Sequence, residues 1–258
     1  MKIGAGNFLI QVFGYFLVFL VGTLVGRLIC LHFVIPHPKS TQRAFLSQFN
    51  CCQERPVWYG EIPLLGYLLL RGKCQACGRS ISLLHPLSEL MGGLYFLLSL
   101  YFFGLHLKLI PVLIFGSSLI AIFFIDLRER RVPNRIVFPL YLVGVIFIAL
   151  AYPERWMELM ISSAVAGGLF LILALLVPGG MGMGDVKLAA TMGIYLGYSV
   201  FPGLMIAFVT AALTGLFLIL TRKKTRKDYI PFAPHLVLGA IISLFWGTQI
   251  MSAYKGLF

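Results

Sequence analysis

Apolar and polar residues follow one another along this chain of 258 residues in long blocks. Seven apolar stretches contain 17 to 22 residues, the length of a helix that crosses the hydrocarbon core of a bilayer. An eighth stretch of 12 residues is too short to cross alone and needs flanking residues or shelter among neighbouring helices. The pattern predicts an all-α polytopic membrane protein with about eight transmembrane helices, at residues 8–29, 86–103, 109–125, 136–152, 159–177, 186–197, 203–220 and 235–253.

Only one connection between the predicted helices is long. It spans residues 31–85, is rich in polar residues, and contains four of the five cysteines. We therefore predict a first transmembrane helix in residues 1–30, a small cysteine-containing cytoplasmic insert in residues 31–85, and the remaining transmembrane domain in residues 86–258. In the reducing cytoplasm the cysteines of such an insert are expected to be thiols or metal ligands, since disulfides are rare there.

Basic residues are distributed unevenly between the two sides of the predicted membrane. The net charge is +12, although only 12% of the residues are charged and 59% are hydrophobic. Eight alternating helices place 17 of the 21 Lys and Arg residues on one side. By the positive-inside rule that side is cytoplasmic, so the N- and C-termini both face the periplasm or the outer side. The positive charge is thus expected to meet the lipid bilayer, and no nucleic-acid partner is predicted.

Two aspartates fall at the same predicted depth. Asp126 closes the span at residues 109–125 and Asp185 opens the span at residues 186–197, both at the cytoplasmic side. A carboxylate near hydrocarbon is costly and usually faces the interior of the helix bundle, where it serves a reaction or an ion pathway. The simpler alternative is that Asp126 pairs with a nearby arginine and that Asp185 only caps its helix.

As a pair, these aspartates have a specific chemical use. Two carboxylates that share a proton can activate a water as a base and protonate the leaving group as an acid, with no metal or covalent intermediate. Gly182 and Gly184, just before Asp185, are interpreted as substrate-approach glycines, because glycine tolerates positive φ and the close approach of another backbone. An ion or proton transporter that uses the same aspartates is the alternative from another class.

Five motifs together resemble those of the type IV prepilin peptidases, the Gly-x-Gly-Asp family of intramembrane aspartic proteases. In chain order the motifs are "WYGEIPLLGYLLLRGKCQACGRSIS", "HPLSEL", "FIDLRERRVPN", "MGMGDVKL" and "PFAP". The resemblance implies that Asp126 and Asp185 are the catalytic aspartates and that residues 86–258 are an aspartic peptidase domain needing no cofactor.

The same resemblance implies a location and a substrate. The enzyme is expected in the bacterial inner membrane, where it cuts the basic leader from type IV prepilins or pseudopilins of a pilus or type II secretion system at the cytoplasmic face. It also implies methylation of the new amino terminus with S-adenosylmethionine, with peptidase activity alone as the alternative.

The cysteines bear on this second activity, because the resemblance places the methyltransferase region in the insert. Cys74 and Cys77, followed by a glycine, have the spacing of half a zinc knuckle. In the family the other half is a second Cys-x-x-Cys, but here Cys52 matches its second cysteine and Phe49 stands where the first should be. Cys51 is then the spare thiol that completes a set of four. Zinc binding and four thiols without metal both stay open.

Glu89 is the remaining candidate residue. It lies in "HPLSEL" at the start of the second predicted span and matches an acidic residue of the family. The resemblance makes Glu89 a candidate methyltransferase residue. The alternative is an interfacial carboxylate with a basic partner nearby.

Overall fold

A computed structural model describes residues 5–34, 60, 62–75, 78, 80–176, 181–223, 225 and 230–256. Within these ranges the chain is helical, and its only extended pairing is an isolated bridge between Lys73 and Ser80. The helices are α1 (Ala5–Ile29), α2 (Leu65–Leu69), α3 (Leu84–Phe103), α4 (Leu109–Glu129), α5 (Asn134–Ala151), α6 (Trp156–Leu176), α7 (Met183–Leu196), α8 (Val200–Leu220) and α9 (Ala233–Lys255).

The described residues contain seven helical stretches that are long and apolar enough to cross a membrane. This confirms the prediction of an all-α polytopic membrane protein. The eight predicted spans correspond to these seven stretches because the predicted short span, α7, has 14 residues and belongs to the same stretch as α8. At 1.5 Å per residue α7 is about 21 Å long, less than the hydrocarbon core of about 30 Å.

The chain divides into two compact units, one that ends at Leu109 and one that begins at Ile110. In the first unit α1 packs closely against α3. The seam contains glycines on both helices: a Cβ at Gly26 would overlap the carbonyl of Ser88, and one at Gly92 would overlap that of Gly22. Small residues let transmembrane helices approach until their backbones touch, so this seam explains the glycines.

In the second unit α6 and α7 run antiparallel. A Cβ at Gly193 would lie 2.5 Å from the Cα of Ser163. Gly197, just after the end of α7, faces Glu158, which lies about one turn before Ser163 in α6. Gly197 has a φ of +57°, a conformation that favours glycine, and it starts the 3₁₀ turn Gly197–Ser199. The chain can therefore turn sharply between α7 and α8.

The direction of α8 follows from its contacts with α9. The hydroxyl of Ser243 donates a hydrogen bond to the carbonyl of Ser199, and one turn later Gly203 packs against Gly239. Helix α8 thus runs antiparallel to α9. The start of α7 lies near the first residue of α9, because Asp185 and Ala233 both interact with Asp126. The end of α7 lies near Ser243 of α9. Helix α7 is therefore parallel to α9, and α7 and α8 run in opposite directions.

A mainly aliphatic core surrounds α7. It includes Leu188 and Met192 of α7, both fully buried, and the ring of Phe115, which stacks on that of Tyr195 with their centroids 4.3 Å apart. The hydroxyl of Tyr195 donates to the carbonyl of Leu140 at 2.9 Å, which joins α7 to α5. These contacts fix α7 among the neighbouring helices.

A cavity of about 500 Å³ lies at the far end of α7. Polar side chains contribute much of its lining, and the Arg155 guanidinium forms two hydrogen bonds there with the Glu158 carboxylate, at 2.9 and 3.0 Å. The lining residues are Arg155, Glu158, Leu196, Tyr198, Ser199, Thr248, Met251 and Ser252.

Candidate active site

Asp126 lies in the last turn of α4, and its side chain is buried. The backbone N–H of Ala233, the first residue of α9, donates a hydrogen bond to its carboxyl group. The atom Oδ2 has no hydrogen-bond partner among the residues that the structure describes. One oxygen of Asp126 is therefore fixed by the start of another helix, and the other is available to a ligand.

Asp185 lies in the first turn of α7 and is also buried. Gly182 is the N-cap residue, so Asp185 occupies the third helical position. The Gly182 N–H donates to the Asp185 carboxylate, and the Asp185 N–H donates to the Gly182 carbonyl at 3.0 Å. The bond from the Gly182 N–H to the Asp185 carboxylate is one half of a capping box, and it fixes the carboxylate at the start of the helix.

The structure brings the two aspartates together. Their side chains interact electrostatically, so Asp185 caps its helix and also faces a second carboxylate. Arg131, an arginine near Asp126 in the sequence, forms an ion pair with Glu129 at 2.5 Å. Both carboxylates also accept a backbone N–H at a helix N-terminus, where the helix dipole stabilises negative charge.

The two glycines of the motif have different structural roles, and neither has the positive φ that the sequence suggested. Gly182 is extended, with φ −79° and ψ 143°. Among the residues that the structure describes, the nearest atom to a Cβ at Gly182 would be Oδ2 of Asp185, at 3.5 Å. At Gly184 a Cβ would lie 2.7 Å from Cβ of Val132, in the loop between α4 and α5. Gly184 thus permits tight packing, and Gly182 leaves space beside the carboxylate.

Lys187 points away from the two aspartates. Its Nζ donates to Oδ1 of Asn134 at 3.1 Å and lies 5.9 Å from the ring centre of Phe138. Positions two apart lie on different sides of a helix, so Lys187 faces α5 while Asp185 faces the interior.

The start of α9 is a part of the site that the sequence did not predict. Phe232 precedes the helix and packs against Phe170 and Phe208, with ring centroids 6.0 and 5.5 Å apart respectively. This aromatic packing holds the following N–H of Ala233 against Asp126. The "PFAP" motif contains both residues, but a backbone donor has no side-chain signal in a sequence.

Glu89 is fully buried in the first unit. The Leu64 N–H donates to its Oε2 at 2.6 Å, and Oε1 has no hydrogen-bond partner in the described part of the chain. Arg27 of α1 and His85 of α3, both buried, belong to the same cluster, since Arg27 interacts electrostatically with His85 and with Glu89.

The cysteine site is described only in part. Cys74 is a buried thiol, and the Gly78 N–H donates to its carbonyl at 2.8 Å. Gly78 has a φ of +68°, so it closes the turn that the knuckle spacing predicted. Cys51, Cys52 and Cys77 lie outside the described residues. No group of three potential metal ligands occurs among the residues that are described, and the predicted zinc site stays a prediction.

The chain is similar to known proteins over most of its length. Two family models match it: one described as the type IV leader peptidase family at residues 113–220, and one described as a bacterial peptidase A24 N-terminal domain at residues 19–103. Each match includes part of the sites above, with both aspartates in the first model and Glu89 in the second.

Relatives from several bacteria carry the name prepilin leader peptidase/N-methyltransferase. The protein from Bacillus subtilis (strain 168) is 34% identical over 196 residues, which cover 75% of this chain and 78% of that protein. The one from Stutzerimonas stutzeri is 34% identical, with 81% and 75% covered, and the one from Legionella pneumophila is 30% identical, with 87% and 81% covered. No solved structure matches the chain significantly.

Proposed function

This chain belongs to the type IV leader peptidase family, and from that membership we propose that it is a membrane-embedded aspartic endopeptidase acting on type IV prepilins or pseudopilins. It removes the leader and then N-methylates the amino terminus that cleavage exposes. The observation that carries the peptidase assignment is the buried, mutually interacting pair of Asp126 and Asp185. Membership of a peptidase family disfavours the alternative of an ion or proton transporter.

The pair can perform peptide hydrolysis without a cofactor. One carboxylate takes a proton from a water molecule, whose oxygen attacks the scissile carbonyl, and the other carboxyl group protonates the departing amine. Each side chain is fixed through one oxygen by a backbone N–H, from Ala233 for Asp126 and from Gly182 for Asp185. The other oxygens are left for the water and the substrate. Preorganised groups of this kind need little rearrangement during the reaction.

The reaction is assigned to the cytoplasmic face of the bacterial inner membrane. Arg128 lies in the last turn of α4, Arg130 and Arg131 lie in the loop that follows, and Arg135 lies in the first turn of α5. A concentration of arginines beside membrane helices is typical of the cytoplasmic side and supports this orientation. With eight membrane segments both termini would then face the periplasm.

Methyl transfer is assigned to the region of residues 31–85 together with Glu89. S-adenosylmethionine would supply the methyl group from a cationic sulfonium. Glu89 suits this chemistry, because its unpaired and buried Oε1 can accept a hydrogen bond from an amine or lie beside a positive charge. Zinc held by Cys51, Cys52, Cys74 and Cys77 would be structural, and the turn closed by Gly78 supports such a site.

The peptidase assignment is tested with Asp126→Asn and Asp185→Asn in full-length enzyme in membranes. Each variant should accumulate uncleaved prepilin, because an amide cannot exchange the proton, while enzyme abundance stays unchanged. Glu129→Gln is the matched control, since Glu129 is an exposed carboxylate three residues from Asp126 and should be dispensable. Normal processing by either aspartate variant would exclude the dyad as the catalytic centre.

A further inference from the structure

A second cluster of buried charges lies in the first unit, and peptide cleavage has no use for it. Arg27 is 4%, His85 2% and Glu89 0% exposed. Charged side chains are almost never buried so completely unless they are paired or serve a site. The cluster joins α1 to α3, and its acidic member, Glu89, is the candidate methyltransferase residue that the family resemblance implied.

The geometry of the cluster leaves two polar atoms unused. His85 and Glu89 are four residues apart on α3 and therefore lie on the same face of that helix. The Nδ1 of His85 and the Oε1 of Glu89 are buried without a hydrogen-bond partner among the described residues. Buried polar atoms are nearly always satisfied in proteins, so two such atoms on one helix face indicate a missing partner.

We propose that Glu89 and His85 bind the amino terminus exposed by leader cleavage, a primary amine, and hold it for methylation. The proposal rests on the methyltransferase half of the proposed function. An amine carries N–H donors that match the two unpaired acceptors. Arg27 interacts electrostatically with both residues, and its positive charge disfavours a second cation. The site therefore selects the neutral amine, whose nitrogen has a free electron pair.

The methylation step is balanced in atoms and charge. The arriving ammonium group loses one proton to water before it enters the site, and the neutral amine donates its two N–H bonds to Nδ1 of His85 and Oε1 of Glu89. The electron pair of the neutral nitrogen attacks the methyl carbon of the sulfonium donor, so that an N–C bond forms. The C–S bond breaks with its electron pair going to sulfur, which becomes a neutral thioether. The product is a methylated ammonium group.

Leu64 occupies the second oxygen of Glu89. Its N–H donates a hydrogen bond to Oε2 at 2.6 Å, and its φ of +61° is costly for a residue with a branched side chain. The Oε1 atom is therefore the oxygen of Glu89 that is left for the amine.

The test compares two forms of a synthetic peptide that represents the mature amino terminus of a processed prepilin. One form has a free amine and the other is acetylated, and their affinities for the purified full-length enzyme are measured. The wild-type enzyme should bind the free amine about 10-fold more tightly, the effect of one hydrogen bond to a charged group. Glu89→Gln should abolish this difference, because the amide oxygen stays with Leu64 and the NH₂ group then faces the amine.

His85 is tested by a pair of variants. His85→Phe keeps the size of the ring but removes the acceptor, so both the preference for the free amine and methylation should be lost. His85→Asn returns an acceptor near the position of Nδ1 and should restore the binding preference. A purely structural role for His85 would predict the opposite order, because Phe fills the space better than Asn.

Ser99→Ala is the matched control, since Ser99 is a buried residue of the same helix whose Oγ also has no partner in the described residues. It should leave cleavage, methylation and peptide binding unchanged. In contrast, mass spectrometry of pilin processed by Glu89→Gln should find normal cleavage and no methyl group. Equal binding of the two peptides by the wild-type enzyme would overturn the proposal. A Glu89→Gln enzyme that loses affinity for S-adenosylmethionine but keeps its preference for the free amine would also overturn it. Failure of the wild-type enzyme to methylate would instead refute the proposed second activity.

Discussion

Substituting alanine at the two glycines before Asp185 should affect the enzyme in two different ways. In Gly184→Ala the new Cβ would lie 2.7 Å from Cβ of Val132. Carbon atoms pack best at about 3.5–4.0 Å, so one of the two segments must move by about 1 Å. Overpacking of this kind costs about 1–3 kcal/mol, and the better helix propensity of alanine offsets about 1 kcal/mol.

The expected loss of stability in Gly184→Ala is therefore only about 1 kcal/mol, but the loss of activity should be much larger. The shift occurs next to Asp185, and a displacement of about 1 Å in a catalytic group can reduce the rate about 100-fold. Gly182→Ala should be different, because the nearest atom to its Cβ among the described residues would be Oδ2 of Asp185, at 3.5 Å. We expect near-normal stability, with about 10-fold slower cleavage because the methyl group narrows the approach to that oxygen.

The assay measures the initial rate of prepilin cleavage by purified enzyme in lipid, together with the temperature of irreversible inactivation. Compensating changes at Val132 separate the two mechanisms. Val132→Gly removes the clashing Cβ and should restore Gly184→Ala, whereas Val132→Ala keeps that atom and should not. Neither change should help Gly182→Ala. Wild-type cleavage by Gly182→Ala would refute its role in substrate approach, and a failure of Val132→Gly to rescue would refute the steric explanation.

Three further changes test the fold and the insert. Gly239→Ala would place a Cβ against the carbonyl of Gly203, so the α8–α9 seam should open, and the inactivation temperature should fall by more than in Ala240→Gly, which creates only a small void. Tyr195→Phe removes one hydrogen bond to Leu140 and should cost only about 1 kcal/mol in a thermal assay. Cys74→Ser should lower the zinc content measured by mass spectrometry of the purified protein, and an unchanged metal content would exclude Cys74 as a ligand.

Much of the fold could be predicted because the length of an apolar run reports directly on a membrane helix. The helices α4 and α6 begin and end within a few residues of the predicted spans. The same reasoning counted α7 as a separate span, although 14 residues are too few to cross alone. Its boundary with α8 depends on the positive φ of Gly197, and one glycine among 27 gives no such signal in the sequence.

The meeting of Asp126 and Asp185 could be predicted because alternating spans place both at the same depth. The partners of these side chains could not, because both are backbone N–H groups, which every residue except proline carries. The roles of Gly182 and Gly184 in the packing could not be predicted for a related reason. Glycine has several uses, and only the neighbouring Val132 shows that close packing is the one that applies at Gly184.

The shortness of α7 has a consequence for the interior of the protein. A helix of about 21 Å falls about 9 Å short of an average hydrocarbon core, and the cavity lined by Arg155 and Glu158 lies where the helix stops. Because neighbouring helices surround α7, its missing length is made up by this cavity and not by a thinner bilayer. Water in the cavity would shorten the apolar path through the protein, and Asp126 and Asp185 would lie at the other end of that path.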